Sequence, residues 1–154
     1  MISRILAVVG LALFLAACGT SNPRADMCAQ PTDQPIVDPR LASAIRSELG
    51  LSSGPTCADL EALTELDARG RDIGTLTGLD HATNLEVLQL NDNRIVSLSP
   101  LARLTSLQRL WLAGNNVLDA SPIADLTGLT GLSLTGNRIS DVSFVAGMNE
   151  LEAL

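Results

Sequence analysis

The sequence predicts an α/β solenoid, with short parallel strands on a concave face, short helical turns on a convex face and a helical cap at the N-terminal end. Three observations predict it. The first is a 22-residue period, in which Leu63, Leu85, Leu107, Leu129 and Leu151 each open a unit. The second is the spacing within a unit. Apolar residues recur at offsets 0, 3, 5, 10, 13, 16 and 19 through four units, without exception, in a chain that is 46% hydrophobic. The third is the chemistry of the turns, with Asn93, Asn115 and Asn137 at offset 8 and Thr77, Ser99, Ser121 and Ser143 at offset 14. A unit this small cannot bury a core alone, so successive units must stack.

Taken in order, residues 1–17 read as a targeting segment. Met1 to Arg4 is a short basic start, and Ile5 to Ala17 is an uncharged apolar run. A transmembrane helix needs about 20 apolar residues, so this run is too short to span but suits a signal peptide. It ends at Leu15-Ala16-Ala17-Cys18, which resembles the lipobox of bacterial lipoproteins. That resemblance implies cleavage before Cys18 and acylation of its thiol and new amino group. An ordinary secretory signal with an incidental Cys is the alternative. More than one acyl chain gives stable anchoring where one is marginal. If the source is Gram-negative, Gly19 after the Cys implies outer-membrane sorting, and the expected location is the bacterial cell envelope. Residues 18–35 are small, polar and Pro-bearing, and read as a flexible tether.

Residues 36–62 are expected to form the cap. Asp38 suits an N-cap, Pro39 the first helical position and Gly50 the stop, with Leu41, Ala44, Ile45 and Leu49 on one face. A second short helix should start from Thr56, with Asp59 completing a capping-box variant. Two cysteines remain after Cys18. In an exported chain Cys28 and Cys57 read as a disulfide, with two free thiols as the alternative.

The repeats follow as 63–84, 85–106, 107–128, 129–150 and a partial unit 151–154. L-x-x-L-x-L should be a strand whose leucines point inward. Asn at offset 8 both donates and accepts, so it can satisfy backbone groups where the chain leaves the strand. Arg71 occupies that offset in the first unit, so the Asn ladder should start at the second. The few residues between offsets 13 and 19, with Pro100 and Pro122 among them, argue against a full α-helix on the convex side and favour short 3₁₀ turns. This pattern resembles the 22-residue leucine-rich repeats of bacterial internalin-like proteins, including Ser99-Pro100-Leu101, Ser121-Pro122-Ile123 and the helical cap. The resemblance implies a binding scaffold and names no ligand. The partial fifth unit leaves two readings open. Either the chain is a piece of a longer protein, or a partner or second copy covers the end by end-to-end association.

Function is expected on the concave face, at offsets 2, 4 and 6. Trp111, the only Trp, falls there beside Arg109, and both residue types are enriched at binding hot spots. Trp111, Arg109, Gln89, Val87, Asn91 and Asp67 form the candidate patch for a protein partner. An isolated surface aromatic is the alternative. A formal net charge of −7 argues against nucleic acid. His81, the only His, is expected to be solvated on the convex side. No residue spacing suits catalysis, a metal or a cofactor. The expected function is a membrane-anchored binding module rather than an enzyme. A structural surface lipoprotein without a ligand, or a remnant of a larger adhesin, is the alternative.

Overall fold

The computed structural model describes residues 33–152. Its repeats coil as the period requires. Strands β1 (Glu65–Asp67), β2 (Val87–Gln89), β3 (Arg109–Trp111) and β4 (Gly131–Ser133) pair in parallel in chain order. Each residue lies beside its equivalent 22 positions on, so Leu66, Leu88, Leu110 and Leu132 form one inward row. On the convex side 3₁₀ turns span Leu79–His81, Ser99–Leu101, Ser121–Ile123 and Ser143–Gly147. The residue two places before each offset-14 position accepts a hydrogen bond from its N–H. Asp119 and Asp141 accept from the N–H of Ser121 and Ser143 at 2.8 Å, and the Thr75 and Ser97 hydroxyls accept from Thr77 and Ser99.

The Asn ladder runs from the second unit upward. The Asn93 carboxamide donates to the carbonyls of Ala68, Leu90 and Asn91 and accepts from the N–H groups of Arg71 and Ile73. Asn115 donates to Leu90, Leu112 and Ala113 and accepts from Ile95. Asn137 donates to Leu112 and Leu134 and accepts from Val117. Each Asn therefore ties its own turn to the turn before it. Just ahead of each rung the chain takes a left-handed conformation, at Gly70, Asp92, Gly114 and Gly136. Asp92 is the non-glycine in that series, and its Oδ1 lies where a Cβ on Gly114 would fall.

Helix α1 (Pro39–Leu49) and the one-turn helix α2 (Cys57–Glu61) lie against the first unit. Thr56 and Asp59 form the capping box on α2, and Gly50 ends α1 in the left-handed region. Asp38 does more than cap. One carboxylate oxygen accepts from Arg40 and Leu41 at the start of α1, and the other accepts from Gly74 and Thr75 in the first repeat. Contacts with the cap and the first repeat also reach back before Ile36. The Asp33 carbonyl accepts from the Cys57 N–H, and Pro35 is buried with its carbonyl against Gly78.

The core is the apolar spine of the repeats, closed at one end by Leu41, Ala44 and Ile45 of α1 and by Leu60. Through the first three units every predicted core position is at most 1% exposed. The fourth unit departs from the pattern. Val142 is 64% exposed, and Phe144, two residues on, is buried instead. The longer turn Ser143–Gly147 carries Phe144 into the offset that Pro100 fills in the second unit, where the larger ring joins the core. An apolar groove of about 300 Å³ lies there, lined by Leu134, Ile139, Val142, Phe144 and Val145.

Candidate functional site: the concave strand face

Two outward rows cross the sheet. One carries Asp67, Gln89, Trp111 and Ser133 in register, and the other carries Glu65, Val87, Arg109 and Gly131. Adjacent strands lie about 4.8 Å apart, so Gln89, Arg109 and Trp111 form one contiguous patch. Trp111 and Gln89 are half-buried and Arg109 is exposed. The indole leans across the sheet toward Gly131. A Cβ built on Gly131 would lie 2.8 Å from the ring carbon Cη2 and 3.5 Å from Cγ of Arg109.

Three of the expected patch residues behave differently. Val87 is only 8% exposed and offers little contact surface. It is a short side chain on an interior strand, between the longer Glu65 and Arg109 on the adjoining strands. Asn91 commits its Oδ1 to the Ala113 N–H at 2.8 Å, so it works partly as a brace between units. Asp67 lies two strands from Trp111, about 10 Å away, and is engaged by Arg69. The Arg69 guanidinium holds both carboxylate oxygens, at 3.0 and 2.7 Å. That hydrogen bond is the main reason the Asp67 carboxyl titrates below its ordinary range. Gly131 is what sequence reasoning left out of the patch, although a glycine inside a strand beside the only Trp was the available signal.

The residues considered for other chemistry are accounted for structurally. His81 is half-buried rather than fully solvated, and its Nε2 is buried without a hydrogen-bond partner among the described residues. The segment ahead of α1 runs across this turn, with the Val37 N–H donating to the Thr77 carbonyl. Among the described residues no cluster of His, Cys, Asp and Glu could hold a metal, and no helix is long and apolar enough to cross a membrane. Cys57 is buried and disulfide-bonded. Cys18 and Cys28 lie outside the described residues, as do the signal segment and most of the tether.

A family profile for leucine-rich repeats (2 copies) matches residues 83–128 and 105–147. Internalin H of Listeria monocytogenes is 36% identical over 100 residues, which cover 62% of this chain and 18% of that protein. The crystal structure of an internalin, inlF, from L. monocytogenes superposes with a TM-score of 0.77 at 34% identity, over 81% of this chain and 38% of the other. Internalin C2 from the same organism superposes with a TM-score of 0.64 at 32% identity, over 82% of this chain and 68% of the other. The chain thus spans under a fifth of internalin H and under two fifths of inlF. On these matches, and above all on the 68% of internalin C2 that it covers, the chain belongs to the internalin-like leucine-rich repeat family.

Proposed function

We propose that the concave face docks a protein partner, with Trp111, Arg109 and Gln89 as the contact centre. The observation that carries this reading is a half-exposed Trp beside an exposed Arg on a concave sheet, where solenoids present extended binding surfaces. Asp67 with Arg69, and Asn91, stand at the rim. In a pull-down from envelope extract, the full chain should retain a protein that a Trp111→Ser chain does not. Truncating a hot-spot Trp weakens binding by about 2 kcal/mol or more, roughly thirtyfold. The thermal midpoint should fall by only a few °C, because the half-buried indole lies on the strand face outside the apolar core. Recovery of the same proteins by both chains would favour a structural lipoprotein without a specific ligand.

The domain is further proposed to sit outside the cytoplasm, anchored through acylated Cys18, with Cys28 as the partner of Cys57. A lipobox-like sequence and paired cysteines in an exported chain support this. Intact-mass analysis checks both points. Acyl mass should be present on Cys18 and lost in Cys18→Ala, which should also leave the membrane fraction. Cys28 and Cys57 should alkylate only after reduction. A Cys18→Ala chain that remained in the membrane would remove the anchor.

A further inference from the structure

We propose that Gly131 is a positioning residue, a seat that fixes the Trp111 indole as a preorganised platform on the concave face. The proposal rests on the concave-face reading above and deepens it.

The backbone does not ask for glycine at this position. Gly131 starts strand β4 in ordinary extended conformation, outside the left-handed region that the turn glycines occupy. A glycine in a strand weakens it and commonly marks a place where another group must come close. That group is the indole. Trp111 stands directly beside Gln89 on one side and Ser133 on the other. Its diagonal neighbours, within reach of an aromatic ring, include Val87 toward the N-terminal end and Gly131 toward the C-terminal end. Val87 has a side chain packed in place at 8% exposure, whereas Gly131 leaves room, and the ring lies over Gly131. Gly131 is accordingly buried although it occupies an outward offset. The Arg109 stem closes the same seat from its own strand, with Cγ 3.5 Å from the Gly131 Cβ position. Fixing the ring before a partner arrives removes its ordering entropy from the binding step. It also sets Arg109 beside the ring, so charge and aromatic surface are offered together.

Any side chain at residue 131 must push the ring away, because its own Cβ would fall 2.8 Å from Cη2. The obstructing atom is the far end of a side chain, so the ring swings clear and the fold survives. The single Trp makes this directly visible. In Gly131→Ala the near-ultraviolet circular dichroism of the indole should be lost, and acrylamide should quench its fluorescence more efficiently, with the thermal midpoint little changed. In the unaltered chain, time-resolved anisotropy should show the indole tumbling only with the whole domain. An indole that moves freely in the unaltered chain, or keeps its spectrum in Gly131→Ala, overturns the seat. Should Gly131→Ala unfold, the anisotropy of the unaltered chain decides alone. A fixed indole combined with unchanged partner capture by Trp111→Ser would instead defeat the binding reading and leave the seat standing.

Discussion

An Asn93→Ala chain should be about 3–4 kcal/mol less stable than the parent, measured by denaturant unfolding at neutral pH. Asn93 is 7% exposed and makes five hydrogen bonds to backbone, three donated and two accepted. Removing it strands the Arg71 and Ile73 N–H groups beneath the second coil, and each buried group left unpaired costs about 1–3 kcal/mol. The carbonyl of Leu90 is spared, because Asn115 also donates to it at 2.9 Å. The ladder should therefore respond in graded fashion. Asn115→Ala strands the Ile95 N–H, leaves the Leu90 and Leu112 carbonyls with one Asn donor each, and leaves that of Ala113 with the Asp92 N–H. Asn137 is only half-buried, so its loss is the mildest of the three. Equal losses at all three positions would mean that side-chain volume, rather than backbone pairing, sets the effect.

Asp38→Ala should cost about 3 kcal/mol at neutral pH, through loss of an N-cap and of the clamp between α1 and the first repeat. The carboxylate is 6% exposed. Burial alone would raise its pKa, but N–H donors from Gly74, Arg40, Thr75 and Leu41 outweigh burial and hold it below the ordinary range. The sign of the pH dependence follows. A carboxyl depressed in the folded state contributes its stability above the unfolded-state value of about 3.9, and loses it as pH falls through the lower folded value. The gap between parent and Asp38→Ala, followed by thermal unfolding, should therefore be constant from neutral pH down to about 5 and narrow below about 4. A gap that widened on acidification would show that Asp38 is held protonated in the fold.

How much of this was legible in the sequence depends on the range of the interaction. Repeat spacing reads directly, because each core leucine answers to its equivalents 22 residues away. The Asn ladder was legible for the same reason, down to its absence at Arg71. The Asp38 N-cap and the Thr56–Asp59 box were visible because capping is local. The second half of Asp38's work was not, since its contact with Gly74 spans 36 residues outside the repeat period. Val87 shows where alternation stops being informative. An outward offset specifies direction, and the side chains on the adjoining strands decide exposure. Val142 and Phe144 show the same in the fourth unit, where the larger ring takes the buried place two residues from the spaced position. The candidate patch was legible at Trp111 and Arg109 by residue type, whereas the role of Gly131 appears only when two strands are laid side by side.

The left-handed turn at Asp92 carries a consequence for how such arrays lengthen. Its carboxylate sits over Gly114 of the next coil, 2.5 Å from where a side chain there would begin. A tandem copy of residues 85–106 would place an aspartate over an aspartate at that point, joining a steric conflict to like-charge repulsion. The unit that follows meets no such obstacle. Gly114 and Gly136 already stack, and a Cβ on the latter would meet Gly114 at 3.4 Å. Unequal crossing-over can therefore duplicate 107–128 with little conflict at this turn, while a copy of 85–106 must turn one aspartate aside. The array lengthens more readily from some units than from others, and a single side chain sets the difference.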